Sequence, residues 1–548
     1  MRRSRDLILL LVMWSVTTAF EVTKAVHVDD TAHLEIARAI LADPTHPMSG
    51  LVNWADTAEP IHMTNQPHLL FYVMAGVMRA APGHVEQAMH LVWIVFSGFA
   101  IVLFYALART LETPSPLLWT AMFCLGPAFI PSQNLMVDVP LVALWLAFFL
   151  VLTREDAGGG ILAASVLAAA ACLVKYSSLV LLPILVLVIV RRRQPRRLTL
   201  LLIPLGILVA WSVFNWFDYG GIHIFARPIA TAAAPGLMRG LAVIVGRAAL
   251  WLVALGAIAP FTPAFVRPLL SSCKGRWLLA ATSVVAVTTS LIGRAMLPAE
   301  PVVQSVLRGL FFANGCLVAA LTTRALRSAR EERVPDSASP HSHLEIWVVA
   351  TALFIVVFSP FIAVRHVLLA LPAVLLLIAR GRDAAQVSRR GWIVACGLTI
   401  VVGMAVGASD ARLADLYRRA APDLASRFCH GGTRCVAVGH WGWQWYASRA
   451  GLETYDRERS HLHPGDRVIL SELAGKQVLP ARDSARFNLV AQVEAPSTLP
   501  TLVRTIATEK SSAQGDRSGG FYYFWTSVPW TITTRPLDRF LVYEVGSR

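Results

Sequence analysis

Two adjacent acids, Asp29 and Asp30, follow the first apolar run of the chain, within His27-Val28-Asp29-Asp30-Thr31-Ala32-His33. A further acid, Asp138, opens a later apolar run in Met136-Val137-Asp138-Val139-Pro140-Leu141. Cations stand at the ends of other runs: Lys175 in Val174-Lys175-Tyr176, and Arg365-His366 ahead of Val367-Leu368-Leu369. Ionisable groups beside hydrocarbon are costly and tend to mark function. A carboxylate with an ordinary pKa of about 4 is ionised at neutral pH. It can take a proton from a hydroxyl and stabilise a cationic carbon as it develops. Lys and Arg can neutralise a phosphate, Arg through a two-pronged contact.

Plainer roles exist for each residue. Asp29 and Asp30 suit the N-cap of a helix starting near Thr31, and Asp138 suits a cap beside Pro140. Lys175 can snorkel to a headgroup, and Arg365-His366 can anchor an interface. His27, His62 and His68 are possible metal ligands, but their spacing defines no site. Trp441, Trp443 and Trp445 suit an aromatic belt or local core as well as a sugar platform.

The elements that carry these residues are hydrophobic. The chain of 548 residues is 55% hydrophobic and 15% charged, against about 25% charged in soluble domains, and its mean hydropathy is +0.57. Apolar runs long enough to cross about 30 Å of hydrocarbon recur through residue 408. Backbone groups in lipid must be bonded internally, so these runs are expected as helices. Strand-type alternation is absent there, which argues against a barrel. The net charge of +15 would suggest nucleic acid in a soluble protein. Here the arginines gather in short loops between apolar runs, so membrane lipid, and no nucleic acid, is the expected partner.

Basic loops set the expected threading. The N-terminus, with Arg2, Arg3 and Arg5, is expected in the cytoplasm, and the first span, from Leu7 to about Ala25, is retained as a helix. Residues 26–85 then form an outer loop, with 68–81 lying at the interface. Later spans are expected near 86–108, 116–131, from 138, 160–174, 176–190, 198–215, 241–266, 277–293, 304–322, 344–362, 367–379 and 391–408. The stretch 324–343 is expected as a cytoplasmic linker. About thirteen spans place residues 409–548 outside, as a mixed α/β domain with strand-like runs at Phe521-Tyr522-Tyr523-Phe524-Trp525 and Phe540-Leu541-Val542-Tyr543. Cys429 and Cys435 could close a short disulfide loop in that compartment, and no second ligand pair with zinc spacing accompanies them. This threading puts Asp29, Asp30, Asp138, Lys175, Arg365 and His366 at one membrane face.

The segment from His27 to Leu41 resembles the first outer loop of the GT-C glycosyltransferases. The resemblance is nearest to the dolichyl-phosphate-mannose protein mannosyltransferases and the bacterial lipid A aminoarabinose transferases, the glycosyltransferase family 39-like group. Gln66-Pro67-His68-Leu69-Leu70-Phe71-Tyr72, Met136 to Leu141, Val174-Lys175-Tyr176 and Arg365 to Pro372 fit the same pattern. Gly439-His440-Trp441-Gly442-Trp443-Gln444-Trp445-Tyr446 is similar to the opening of the extracytoplasmic domain in bacterial members. The chain departs from the pattern at Asp30, where the family has Glu, and at Gln66, where many members have Lys.

The resemblance implies a polytopic α-helical GT-C-like fold, with a catalytic transmembrane domain over 1–408 and an extracytoplasmic domain over 409–548. It implies an enzyme of the cytoplasmic membrane that moves a sugar, with inversion, from a polyprenyl-phosphate donor to a hydroxyl of a lipid, glycan or protein acceptor. Asp29 would be the general base, with Asp30 and Asp138 in support. Lys175, Arg365 and His366 would bind the donor phosphate, while Gln66, His68, Tyr219 and Trp443 would contact acceptor or substrate. A divalent metal shared by Asp29 and Asp138 is a further expectation. The competing functions are a multi-pass transporter or flippase and a non-catalytic assembly or sensing protein. A transporter places its acids near the bilayer midplane within internal repeats; here the acids fall at span ends and no repeat is evident. The sensing reading would lodge ligand binding in residues 409–548, separable by truncation.

Overall fold

The computed structural model describes residues 2–547 except 65, 155–158, 227–236, 299, 332–340, 475–476, 478, 480–485, 509–516, 519 and 523–527. Helix α1 (Arg2–Thr18) is followed by tight turns, and α2 (Asp30–Ala42) begins beside Asp29. A small antiparallel pair, β1 (Leu51–Val52) and β2 (Glu59–Pro60), leads to α3 (Leu69–Ala80). Then come α4 (Val85–Thr110), α5 (Pro116–Cys124), α6 (Asp138–Thr153), α7 (Gly159–Val174), α8 (Leu181–Arg191), α9 (Leu202–Tyr219) and α10 (Leu237–Ala257). The short α11 (Val266–Leu270) precedes a helical hairpin, α12 (Cys273–Met296) and α13 (Val302–Glu331). Helices α14 (His341–Phe358), α15 (Val364–Val367), α16 (Leu371–Arg380) and α17 (Arg382–Ala385) lead into α18 (Arg389–Phe428).

The protein is largely helical and polytopic. Among the described residues, six helices are long and apolar enough to cross a membrane, by length and composition: Val85–Thr110, Pro195–Tyr219, Gly240–Ala257, Cys273–Met296, Val302–Ala329 and Arg389–Phe428. Shorter apolar helices, α6 and α7 among them, pack between these. Helix α4 shows why the long ones suit lipid. Its Leu91, Val95, Phe99 and Val102 form an exposed apolar stripe, while Trp93, Ala100, Ile101, Phe104 and Leu107 face the core. Helix α6 is buried along almost its whole length, so it is apolar on every side except at Asp138.

The C-terminal part holds β3 (Cys435–Val438), α19 (Trp441–Arg449), β4 (Glu453–Thr454), β5 (Arg467–Ser471) and β6 (Phe487–Ala495). Short strands β7 (Val503–Arg504), β8 (Ala507–Thr508), β9 (Arg517–Ser518) and β10 (Thr531–Ile532) precede β11 (Asp538–Val545). The main sheet runs β4-β3-β5-β11-β6, with β3 parallel to β4 and β5, and β11 antiparallel to β5 and β6. Side chains alternate across it. Val436, Val438, Val468 and Val545 form a core on one face. On the other, Phe540 packs against Trp443 of α19 and Tyr417 of α18. Cys429 and Cys435 are joined by a disulfide at the junction of α18 and β3, with Cα atoms 5.8 Å apart.

Several sequence expectations shift. The first helix ends at Thr18 rather than near Ala25, because Glu21, Lys24 and His27 turn inward to polar partners. The third run is helical only to Cys124, and residues 125–137 cross the interior as a buried turn containing Pro127 and Pro131. Helix α13 continues to Glu331, so the start of the expected linker is helical; residues 332–340 lie outside the described residues. Helix α18 passes residue 408 without a break and ends at Phe428. Residues 540–543 form part of β11, whereas Tyr523, Phe524 and Trp525 lie outside the described residues.

Candidate active site

The acid pair is presented by a short segment pinned from behind. Lys24 Nζ donates to Asp410 Oδ2 of α18 at 2.8 Å and to Asn134 of the buried turn. Asp410 also accepts from Tyr522 and Thr505, each at 2.6 Å. Val26 N donates to Tyr446 Oη at 3.0 Å, and Thr31 Oγ1 donates to the Trp441 carbonyl at 2.5 Å. A Cβ on Gly442 would lie 2.3 Å from the Val26 carbonyl oxygen, so only glycine allows α19 to approach this closely. Val28 and Trp441 hold left-handed backbone conformations, with φ of 44° and 58°. For a β-branched residue and a tryptophan this is strained, and such strain clusters at functional sites.

Asp29 does not cap α2 with its side chain. Its Oδ2 instead accepts from Arg365 Nη1 of α15 at 2.6 Å. Asp138 Oδ1 accepts from Lys175 Nζ at 2.8 Å, so α6 and the end of α7 are joined in the same way. Asp29, Lys175, Arg365 and His366 line one cavity of about 520 Å³ between the helical part and α19. Its apolar wall is formed by Phe354, Phe358, Phe361 and Leu369, and its polar wall includes His33, Glu59, Gln66 and His440. Lys175 and Arg365 each already hold a carboxylate, and Glu59 adds a further acid to the wall. Pairing offsets the cost of taking both charges out of water.

The remaining sequence candidates divide. Asp30 lies behind Asp29, fully buried, with Oδ2 accepting from His27 N at 3.0 Å; burial raises its pKa well above the usual carboxylate range. Asp138 supports Lys175 from outside the cavity wall. His366 lines the cavity, but its Nδ1–H is given to the Phe361 carbonyl at 3.1 Å. A neutral imidazole held this way offers an acceptor at Nε2 and becomes a phosphate donor only when protonated. Gln66 lines the cavity. His68 is buried between Phe71 and Trp211, Tyr219 stacks on His62 with ring centroids 4.4 Å apart, and Trp443 is buried against Phe540. These three stand outside the cavity wall because packing claims their rings. From the Trp-rich segment it is Trp441, beside His440, that reaches the cavity. Among the described residues no group of three or more His, Cys, Asp or Glu is placed to hold a metal ion. One oxygen of each proposed metal-sharing acid is taken by a cation: Asp29 Oδ2 by Arg365 and Asp138 Oδ1 by Lys175.

Some residues at the cavity or beside it were not among the sequence candidates. His33 sits one turn after Asp29 on α2. Glu59 is brought in by the β1–β2 pair. Glu35, on the far side of α2, accepts from Asn53 N at 3.2 Å and from Gln444 Nε2 at 2.7 Å. Gln444 Oε1 in turn accepts from His440 Nδ1–H at 2.8 Å. Burial pushes the Glu35 carboxyl up to about 7. The signal that could have found His33 was its spacing from Asp29, since residues i and i+4 share a helix face.

Fold and site together define a largely helical integral membrane protein whose C-terminal mixed α/β region helps enclose a charge-paired cavity. No family model matches the sequence, and no curated protein matches it. Solved structures align with it at low similarity. ArnT from Cupriavidus metallidurans bound to undecaprenyl phosphate is 14% identical, with 89% of this chain and 96% of that chain covered and a TM-score of 0.40. The oligosaccharyltransferase AglB from Archaeoglobus fulgidus, in complex with an inhibitory peptide and a dolichol-phosphate, is 13% identical over 86% and 70%, with a TM-score of 0.45. The arabinofuranosyltransferase AftD from Mycobacteria is 13% identical over 100% and 40%, with a TM-score of 0.38. Likeness at this level carries no inference about chemistry.

Proposed function

We propose that the protein is a membrane glycosyltransferase of the GT-C type. It takes sugar from a polyprenyl-phosphate donor and passes it, with inversion, to a hydroxyl of a lipid, glycan or protein on the outer face of the cytoplasmic membrane. The observation that carries this reading is the shared cavity. An acid from the first outer loop and cations from two separate helical hairpins meet there, beside an apolar wall suited to a lipid chain. The sequence resemblance of the segments around Asp29, Asp138, Lys175 and Arg365 supports it independently. The proposal includes about thirteen spans, a cytoplasmic N-terminus, and an extracytoplasmic domain over 409–548 in keeping with the Cys429–Cys435 disulfide.

In this reading the acceptor hydroxyl approaches Asp29, whose Oδ2 is tied to Arg365 while Oδ1 has no partner among the described residues. Asp29 acts as general base. The hydroxyl oxygen attacks the anomeric carbon, and the bond to the lipid phosphate breaks with its electron pair on the phosphate. Arg365 and Lys175 stabilise the phosphate through charge-assisted hydrogen bonds. No step is routed through a metal. The test compares envelope glycans and lipids, by mass spectrometry, in a strain lacking the protein and in the same strain given wild type or Asp29→Asn. The deletion strain is expected to lose one sugar modification, restored by wild type and not by an inserted, folded Asp29→Asn protein. Full restoration by the variant removes Asp29 as base; an unchanged envelope in the deletion strain removes the transferase reading.

A further inference from the structure

Asp29 is poorly placed to keep the proton it draws. Arg365 lies 2.6 Å from its Oδ2 with a side chain only 8% exposed. A protonated Asp29 would leave that guanidinium without its counter-charge in a buried site, which is costly. The transfer therefore needs a second group to receive the proton. Asp138 is held by Lys175 in the same manner. Glu59 is exposed on β2 and can exchange with solvent directly.

His33 differs from all of these. It lines the cavity one turn beyond Asp29 and is buried, with its ring against Phe71 at 5.0 Å. Its Nδ1 is 2.9 Å from the Leu135 carbonyl oxygen. A carbonyl can only accept, so Nδ1 carries the hydrogen. The neutral ring must then hold its lone pair at Nε2. Nε2 takes no bond from the described residues, and the carbonyl that sets this tautomer belongs to the buried turn leading to Asp138. The charged and titratable groups around the ring are Asp29 at the start of its own helix, Arg365 of α15, Asp138 of α6 and His68 before α3. Burial holds the imidazole below its ordinary pKa, so it waits in the neutral form at pH 7.

We infer that His33 is the terminal proton acceptor of the transfer, receiving at Nε2 the proton that Asp29 draws from the acceptor hydroxyl. The inference rests on the transferase reading. The O–H bond of the acceptor breaks, its oxygen forms the bond to the anomeric carbon, and the phosphate leaves with the electron pair of the old bond. The proton passes through Asp29 to Nε2, directly or over one water. The imidazolium then loses it to solvent, and the neutral tautomer returns because the Leu135 carbonyl holds the Nδ1 hydrogen.

The experiment uses purified full-length wild type, His33→Ala and His33→Gln in liposomes, mixed with membranes of the deletion strain as the source of donor and acceptor. Product is read by mass spectrometry across pH. Turnover is expected to fall about 100-fold or more in both variants. The acidic limb of the wild-type profile, in which activity falls as His33 protonates, should disappear, and added imidazole should restore part of the rate in His33→Ala. Wild-type turnover in the variants overturns the inference. So does a loss that leaves the acidic limb in place and resists imidazole, because that marks a structural role. Histidine-labelled protein in nanodiscs gives a reading independent of activity. Nitrogen NMR should show His33 protonated at Nδ1 alone at pH 7 and titrating below 6.5, and protonation at Nε2 overturns the inference. A wild type that makes no product while NMR shows the expected tautomer indicts the transferase reading, and this proton step falls with it.

Discussion

Replacing Lys24 by Met should destabilise the protein more than any exposed charge change. Lys24 and Asp410 have side chains 3% and 0% exposed, and their charged atoms are 2.8 Å apart. At the effective dielectric that suits protein sites, the attraction is about 6 kcal/mol. Desolvation consumes much of it, so the pair itself contributes little net stability. Removing one partner is a different matter. Lys24→Met leaves Asp410 buried without its cation, with the neutral donors Tyr522 and Thr505 and the His27 ring near it among the described residues, and costs about 3–5 kcal/mol. The same change unties the segment behind Asp29 from α18 and from the C-terminal region, so the site loosens with the fold. The assay is thermal unfolding of the detergent-solubilised protein, followed by intrinsic fluorescence and by monodispersity after heating. Lys24→Met should melt several degrees below wild type. Lys24→Met with Asp410→Asn should recover most of the loss, because the amide removes the buried charge, keeps one acceptor oxygen for Tyr522 or Thr505, and can donate its NH2 to the other hydroxyl. Equal melting of wild type and Lys24→Met refutes the reasoning, as does a double variant less stable than Lys24→Met alone.

The donor-side cations give a prediction with a different signature. Lys175→Met and Arg365→Met each remove a charge-assisted contact to phosphate, and each should raise the KM for donor about 10- to 100-fold; an unchanged KM removes that residue from the phosphate site. Arg365→Lys should restore only part of the loss, since a point charge cannot reproduce the planar fork. Glu35 predicts a pH effect on stability. Its folded pKa of about 7 lies above the ordinary value of 4.5, so the folded state holds the proton more tightly than the unfolded state. Folding stability should therefore fall as pH rises from 4.5 to 7, by on the order of 3 kcal/mol, and level off above 7. Glu35→Gln should flatten that slope, and a slope identical to wild type in melts across this range contradicts the assignment.

How far the site was readable depended on where each residue stood relative to an apolar run. Asp29, Lys175 and Arg365 stood out in the sequence because a charge at the end of an apolar run contrasts with its neighbours. The long lipid-facing helices were readable for the same reason. The boundaries were not. Helix α1 stops at Thr18 because Glu21, Lys24 and His27 find partners on α4 and α18, and nothing local records those partners. Asp410 was hidden in the opposite way. It lies inside the helical run Arg389–Phe428, where it reads as part of the soluble boundary, yet it is fully buried against Lys24.

The clearest physical lesson lies in Asp29 and His33. From sequence, Asp29 had two roles open to it, N-cap or site acid. Local geometry alone cannot choose, because either role puts an acid at the first turn of α2. Arg365, 336 residues away, makes the choice by taking the side chain that would have capped the helix. That contact sets a buried guanidinium against the carboxylate, so a proton left there would strand a charge. His33 gained its proposed role from a group 102 residues away, the Leu135 carbonyl, which selects one tautomer of its ring. Charge at a helix end was legible because it is a property of one residue. Protonation state and tautomer were not, because each belongs to a pair that only the fold assembles.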